Sequence, residues 1–200
     1  MFIGVEVHNC KKEKHTFMDN RIYALVGPHA SGKTALAAKM SELGIPILSL
    51  DTCLNDLPEG RETSPACCVS RQEFGNRQYL MTYTYHGITF GIRQQETLQA
   101  LDENPTSIML IDLPALPALK ELLGERLVTI FLMVDYDVQI QRMLKMGADY
   151  ETIRQQLQDD HDGGDVDGWK LTDCVIKNTG SLDDAANQLL AIMHCEKRLN

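Results

Sequence analysis

One loop sequence constrains this chain more strongly than any other feature. An apolar run at 22–26 leads directly into Gly-Pro-His-Ala-Ser-Gly-Lys-Thr, the spacing G-x-x-x-x-G-K-T. In that spacing the two glycines let the backbone curl until successive N–H groups face phosphate oxygens, and the lysine supplies a mobile charge for the outer phosphates. The threonine hydroxyl is placed to ligate Mg²⁺, and the Ala-rich segment that follows predicts a helix whose N-terminal dipole adds to the same field. The sequence therefore predicts a nucleoside triphosphate site formed by Gly27, His29, Ala30, Ser31, Gly32, Lys33 and Thr34.

Composition and charge narrow the class of protein. The 200 residues fit one domain with a sizeable core, and 44% of them are hydrophobic. The formal net charge of −9 argues against a nucleic-acid partner, because such a partner requires a basic face. The six cysteines form no C-x-x-C pair and have no histidine at zinc-binding spacing. Since the sequence has no secretory signal and no apolar run of membrane length, we expect a cytoplasmic protein with free thiols and no membrane partner.

The first 17 residues stand apart from the rest. They lie before the first predicted strand, and Met18 would be a natural beginning for a protein with this loop. We expect residues 1–17 to be a poorly ordered N-terminal extension, with a functional arm as the alternative. Residues 18–200 are then expected to form the nucleotide-binding domain.

Apolar segments along the chain predict the fold class. Five short segments without alternation predict parallel strands covered on both faces, at 22–26, 46–50, 108–111, 128–134 and 174–177. Helical patterns follow at 33–43, 117–123, 138–146, 150–159 and 182–194. Alternating strands and helices predict an α/β three-layer sandwich of the P-loop NTPase type, with a five-stranded parallel core sheet.

Two regions interrupt this alternation. Residues 51–95 contain short alternating runs, which predict a small β-rich insert for acceptor binding at the carboxyl end of the second strand, where ligands of such sheets collect. Residues 138–168 are expected to form a helical lid. Within it, the acidic and glycine-rich stretch 160–168 lacks the final glutamate of a calcium-binding EF-hand loop, so we expect a mobile loop there.

Several short segments match, in the same order, the patterns of one known family. Residues 69–74 read V-S-R-Q-E-F, similar to V-S-R-E-E-F, and residues 86–91 read H-G-I-T-F-G, similar to H-G-x-x-Y-G. Residues 111–112 are similar to the acidic end of the family's third core strand, and residues 177–178 to its late V-x-N. With these segments and the loop, the chain resembles the guanylate kinases, P-loop nucleoside-monophosphate kinases.

The resemblance implies an activity and cofactors. Guanylate kinases transfer a phosphoryl group from ATP to GMP with the help of Mg²⁺. By resemblance, Lys33 polarises ATP, and Asn178 contacts its adenine. Asp112, at the end of an apolar strand, is expected to order Mg²⁺ together with Thr34.

The acceptor side departs from that family. Where the family has T-T-R-x-x-R, whose arginines hold the acceptor phosphate, residues 52–57 read T-C-L-N-D-L. The glutamate that reads guanine falls on Met81, and the phosphate-binding tyrosine falls on Phe90. A pocket without these groups does not select guanine by hydrogen bonding. We therefore expect the acceptor to be a nucleotide other than GMP or another small molecule. It would be bound by Thr52, Met81, Tyr83 and Phe90, although aromatic residues there also fit the core of the insert.

The lid has lost part of its positive charge. In the resembled family, arginines from the lid close over the phosphoryl group in transit, and here Arg142 and Arg154 are expected to do so. Two further arginine positions fall on Met146 and Gln155. Because phosphoryl transfer depends mostly on positioning and charge stabilisation, two functions stay open. They are a phosphotransferase and a nucleotide-binding or regulatory module that has lost catalysis; a monomer and a homodimer are both possible for either.

Asp51 has two possible roles and is part of a resemblance to a second family. It ends the second predicted strand, where it either orients the acceptor as a catalytic residue or caps the strand. The run G-P-H-A-S-G-K-T, followed by this aspartate, also resembles the tRNA dimethylallyltransferases, in which such an aspartate contacts the adenine to be modified. That family is the lesser alternative, because the middle of the chain does not match it.

Overall fold

The computed structural model describes residues 20–53 and 67–196. The predicted extension 1–17 and the segment 54–66 of the predicted insert lie outside the described residues. The strands in the described ranges are β1 Arg21–Val26, β2 Ile47–Leu48, β3 Leu50–Cys53, β4 Cys67–Val69, β5 Tyr79–Tyr85, β6 Ile88–Arg93, β7 Thr106–Leu110, β8 Leu127–Met133 and β9 Cys174–Lys177. The helices are α1 Lys33–Glu42, α2 Arg71–Asn76, α3 Gln94–Glu103, α4 Leu116–Leu123, α5 Tyr136–Lys145, α6 Tyr150–Asp162 and α7 Leu182–Glu196.

The core of the fold is a five-stranded parallel sheet in the order β2-β7-β1-β8-β9. These are the five predicted strands, so the predicted α/β sandwich is confirmed. In β1, alternate side chains enter two separate apolar clusters: Ile22, Ala24 and Val26 pack with α3 and α4, whereas Tyr23 and Leu25 pack with α1 and α7. Burial on both faces explains why β1 is continuously apolar. In the described part of the chain, no helix is both long and apolar enough to cross a bilayer.

The chain changes sheets at Ser49, inside the segment predicted as a single strand. β2 pairs with β7, whereas β3 joins a second sheet in the order β4-β3-β6-β5, which falls within the predicted insert. The register puts Thr52, Tyr83 and Phe90 on one face of this sheet. Tyr83 belongs to the core cluster beneath α3 and α4, so this inner face packs against the core sheet.

Two helices of this region were missed at the sequence level. α2 begins with a capping box, in which the Ser70 hydroxyl accepts from the Glu73 N–H and the Glu73 carboxylate accepts from the Ser70 N–H. The S-x-x-E spacing was the available signal for it. In α3, buried Thr97, Ala100 and Leu101 follow the i, i+3, i+4 spacing of an amphipathic helix.

The buried carboxylate of Asp51 links side chains on the outer face of the second sheet. Asp51 is fully buried, and its two oxygens accept from Arg93 at 2.6 and 3.0 Å, from Arg77 at 2.7 Å and from the Tyr79 hydroxyl at 3.0 Å. Burial alone raises the pKa of Asp51, but hydrogen bonds from Arg93, Arg77 and Tyr79 outweigh it and hold the pKa below its ordinary value. The cluster therefore ties β3 to the strands β5 and β6.

Asp51→Asn keeps the shape of this side chain and removes its charge. We expect the free energy of unfolding at pH 7 to fall by about 2 kcal/mol in urea denaturation, because two arginines lose their shared partner. The loss is smaller than for a fully enclosed pair, since the side chains of Arg77 and Arg93 are 38% and 31% exposed.

The same variant has a defined pH dependence. Because the folded-state pKa of Asp51 lies below the ordinary 3.8, its contribution is fully present above that pH and is lost as the pH falls through the folded-state pKa. The stability difference between wild type and variant therefore shrinks below pH 3.8. Asp102→Asn, on the exposed surface of α3, is the control and should change stability by less than about 0.5 kcal/mol. Equal losses in both variants would contradict this account.

Candidate nucleotide-binding site

The loop between β1 and α1 requires its two glycines for different reasons. Gly27 has φ +148°, and a Cβ there would lie 2.7 Å from the carbonyl oxygen of Leu132 in β8. Gly32 has φ +98°, and a Cβ there would collide with the side-chain nitrogen of Asn178. A larger residue at Gly27 would force the loop away from β8, whereas one at Gly32 would be strained at that φ and would displace the Asn178 side chain. The loop leads directly into the first turn of α1, where backbone N–H groups are of the kind that binds anions in other proteins.

Lys33, the first residue of α1, folds back over this loop. Its ammonium group donates to the backbone carbonyl of Gly27 and, at 3.1 Å, to that of Pro28. Burial lowers the pKa of Lys33, and the carboxylates of Asp112, Asp165 and Asp160 offset part of that effect. The lysine is thus a half-buried cation held close to acidic side chains.

One side of the loop is supported by residues that follow β8 and β9. The Asn178 amide donates to the Ser31 carbonyl at 2.7 Å. The Arg142 guanidinium donates to the carbonyls of Ala30 at 3.2 Å, Ser31 at 3.1 Å and Asn178 at 2.8 Å. Burial lowers the pKa of Arg142. These contacts border a cavity of about 540 Å³, which lies within the size range of ligand pockets and is lined by loop residues 30–34 with Arg142, Met146, Asn178 and Leu182.

The other side of the loop is held by Gln139 of α5 and Asp160 of α6, in the segment that was predicted to be a lid. Asp160 of α6, which is 2% exposed, accepts from the His29 N–H at 2.9 Å and pairs with the His29 ring nitrogen Nδ1 at 2.7 Å. Gln139 of α5 donates to Asp160 at 2.6 Å and to the His29 carbonyl at 2.9 Å. The lid therefore contacts the loop through a closed hydrogen-bond network.

The expectation of a loop throughout 160–168 is wrong. α6 continues to Asp162, and a 3-10 helix follows at Asp165–Leu171. Gly164 makes the turn between them at φ +78°, and Gly168 packs against Leu113 and Phe131. Asp160 and Asp165, which look solvated in the sequence, are buried here because Asp160 contacts the loop and Asp165 contacts Tyr85 of the insert.

A second, smaller cavity of about 90 Å³ lies on the far side of Lys33. Three carboxylates from different elements line it, those of Asp112, Asp160 and Asp165. Asp112 follows β7, and its carboxylate accepts from the Tyr83 hydroxyl at 3.0 Å, while Asp165 accepts from the Tyr85 hydroxyl. Burial raises the pKa of Asp165, and the charges of Asp160 and Asp112 raise it further against the hydrogen bond from Tyr85.

No protein-family model and no curated protein matches the sequence. The crystal structure of guanylate kinase from Anaplasma phagocytophilum matches with a TM-score of 0.65 and 18% identity, over 89% of this chain and 86% of that chain. The chain has a guanylate kinase-like fold. The structure of an uncharacterized protein from Eubacterium ventriosum matches with a TM-score of 0.50 and 17% identity, over 88% of this chain and 99% of that chain.

In this guanylate kinase-like fold, the loop residues and Asn178 lie together at the edge of the larger cavity. Gly32, Lys33 and Thr34 all border it. The Ser31 hydroxyl is fully buried and has no hydrogen-bond partner within the described ranges. His29 faces the smaller cavity instead. The predicted nucleotide residues are therefore divided between the two sides of the loop.

The two residues predicted to order Mg²⁺ flank Lys33. Thr34 is exposed at the start of α1 on the side of the larger cavity, and Asp112 lines the smaller one. Among the described residues, no group of three or more His, Cys, Asp or Glu side chains is arranged to hold a metal. This donor set fits Mg²⁺, which uses one or two protein oxygens together with substrate phosphates and water.

The four predicted acceptor residues share the inner face of the second sheet but differ in accessibility. Thr52 is fully buried, and its hydroxyl has no partner in the part of the chain that the structure describes. Met81 is half-buried and packs against the core. The rings of Tyr83 and Phe90 stack at 5.2 Å and 21°. Of these four, Phe90 reaches the wall of the smaller cavity.

Asp51 and Arg154 are not brought to the loop, which corrects their predicted roles. Both oxygens of Asp51 are taken by the outer-face cluster, so this carboxylate is not presented to an acceptor. Asp51, one of the two features behind the resemblance to tRNA dimethylallyltransferases, thus stabilises the second sheet. The Arg154 side chain is 62% exposed and pairs with Glu151 at 3.0 Å, one turn earlier on α6.

Sequence reasoning missed Asp160, Asp165 and Gln139. The carboxylates lie in a stretch whose composition suggested a solvated loop, and Gln139 had no motif to mark it. The Asp149 cap, whose side chain accepts from the Thr152 N–H, does mark the start of α6. A helix that begins there and is unbroken by proline or glycine until Gly163 includes Asp160.

Asn178→Ala tests the support of the loop. We expect a loss of about 1 kcal/mol in the free energy of unfolding, because the Ser31 carbonyl loses one of its two side-chain donors and keeps the one from Arg142. Hydrogen exchange at residues 31–34 should also become faster. Asn187→Ala, on the exposed face of α7, is the matched control and should leave exchange at the loop unchanged. Unchanged exchange in both variants would contradict the support role.

Proposed function

We propose that this protein is an ATP- and Mg²⁺-dependent phosphotransferase that acts on a small acceptor other than GMP. The observation that carries the proposal is the position of Lys33, which borders both cavities. A triphosphate along residues 27–34 would have its nucleoside in the larger cavity and its terminal phosphate beside Lys33. The smaller cavity then lies where an acceptor must approach.

The residues of each cavity support specific roles. Arg142 and Asn178 border the larger cavity and would hold the nucleoside side of ATP. The first-turn amides of α1 and Lys33 would hold the phosphates. Thr34 and Asp112 would ligate Mg²⁺, which supplies charge neutralisation for the phosphoryl group in transit. Asp160 and Gln139 would keep the loop in a conformation ready for binding.

Two features support an acceptor other than GMP. Met81 lies on the inner face of the second sheet in place of a guanine-reading acid. The described arginines Arg77 and Arg93 are engaged with Asp51 on the opposite face, where they do not meet an acceptor phosphate.

A nucleotide-binding module without catalysis is the second candidate. It is favoured by the position of Arg154, a predicted catalytic residue. Its guanidinium pairs with Glu151 on the surface instead of facing the loop. The discriminating measurement is ADP formation from Mg·ATP in the presence of nucleoside monophosphates and of small hydroxyl compounds. ADP above slow background hydrolysis supports the phosphotransferase, and its absence with every acceptor supports the module.

Lys33→Ala tests nucleotide binding itself. At a Mg·ATP concentration about 100 times the dissociation constant, we expect the melting temperature of the wild type to rise by about 5 °C. The variant should shift by less than about 1 °C, because the charge beside the outer phosphates is gone. Lys39→Ala, on the same helix and paired with Asp183, should keep the wild-type shift. If the wild type shows no shift, both candidate functions fail.

Arg142 and Arg154 form a matched pair on the lid. Arg142→Ala should weaken Mg·ATP binding at least about tenfold in calorimetric titration, since three backbone carbonyls around the loop lose a charged donor. Arg154→Ala should stay within about twofold, because its partner is a surface glutamate. A larger loss of Mg·ATP affinity in Arg154→Ala than in Arg142→Ala would contradict this assignment of the two arginines.

A further inference from the structure

The smaller cavity carries information about the acceptor, and the inference below rests on the proposed phosphotransferase function. Its volume of about 90 Å³ corresponds to roughly three water molecules. Pockets for drug-sized ligands are several times larger. This volume suits the reacting end of an acceptor, or a molecule of a few heavy atoms, between Lys33 and the second sheet.

The aromatic side chains of the insert explain the small volume. Tyr83 and Phe90 stack on the inner face, and the Tyr83 hydroxyl is fixed to Asp112 by hydrogen bonds in both directions, at 3.0 and 3.4 Å. Tyr85 packs against His86 at a ring distance of 3.9 Å and is fixed to Asp165. A planar base would have to displace these rings.

The charge of the lining is opposite to what a phosphate acceptor requires. Asp112, Asp160 and Asp165 line the cavity, and Lys33 is the one lysine or arginine among its described lining residues. A nucleoside monophosphate would add about two negative charges to these carboxylates. In a buried site such repulsion is screened less than in water.

We propose that the acceptor end that enters this cavity is a small neutral or cationic hydroxyl compound, such as a polyol or an amino alcohol, and not a phosphate. The acceptor oxygen forms a bond to the terminal phosphorus of ATP. The bond between that phosphorus and the bridging oxygen breaks, and its electron pair stays on the departing ADP. The hydroxyl proton passes to Asp165.

The assignment of the proton to Asp165 follows from the contacts of the three carboxylates. Both oxygens of Asp160 are engaged, by His29 and by Gln139. Asp112 is paired with Tyr83 and assigned to Mg²⁺. Asp165 accepts through one oxygen from Tyr85, and its other oxygen has no hydrogen-bond partner among the described residues. Burial raises its pKa, which makes it a stronger base.

The wild-type protein tests the inference by its acceptor profile. Mg·ATP binding is established first by the melting shift, and no shift would be a failure of the proposed function rather than of the inference. ADP formation is then measured with glycerol, ethanolamine, GMP, AMP, CMP and UMP, and phosphorylated products are identified by ³¹P NMR. We expect glycerol or ethanolamine to accelerate ADP formation at least fivefold and to be phosphorylated.

The remaining outcomes overturn the inference while leaving ATP binding intact. Stimulation by any of the four nucleoside monophosphates would show that the cavity admits a phosphate. ADP with free phosphate as the sole product would identify water as the nucleophile. No stimulation by any compound would favour the binding module.

Asp165→Asn tests the proton acceptor. We expect it to reduce ADP formation at least tenfold while the melting shift with Mg·ATP is retained, because the base is lost and the loop contacts are not. Asp162→Asn, two residues beyond Asp160 at the exposed end of α6, should keep the wild-type rate. A wild-type rate in Asp165→Asn would overturn this assignment. If the variant does not fold, the acceptor profile of the wild type still decides the inference.

Discussion

The site depends on buried polar contacts that hold the backbone of residues 27–34 in place. A loop that curls its N–H groups toward an anion turns its carbonyls the other way, and buried carbonyls need donors. Asn178 and Arg142 supply these donors on one side, and Gln139 on the other. Because the donors come from the lid and from the end of β9, the loop keeps its shape only when the whole sheet is assembled.

The same arrangement divides the site into two chemically different halves. On the side of the larger cavity, Arg142 and the amide of Asn178 present positive or neutral polar groups. On the opposite side, three carboxylates surround the ammonium group of Lys33, and burial lowers its pKa. These two halves match the partners that we propose, a triphosphate and an uncharged hydroxyl. In that proposal, Lys33 contacts both the phosphoryl donor and the acceptor.

Much of the fold and half of the site could be predicted from the sequence, because those features are local. The core strands are continuous apolar runs, and the loop motif fixes Gly27, Gly32 and Lys33 by spacing alone. The role of Asp51 was predicted wrongly because it depends on Arg77 and Arg93, which lie 26 and 42 residues away in the sequence. Asp160 was missed because its partner His29 is 131 residues away. Such pairings have no local pattern, so they become visible only when the lid and the second sheet have been placed on the core.

The most direct test of the central claim is a crystal structure of the protein with Mg²⁺ and a non-hydrolysable ATP analogue. The account predicts that the nucleoside occupies the cavity bordered by Arg142 and Asn178. It also predicts that the terminal phosphate lies against Lys33 and faces the cavity lined by Asp112, Asp160 and Asp165. An analogue bound away from residues 27–34, or with its terminal phosphate directed away from Lys33, would contradict it.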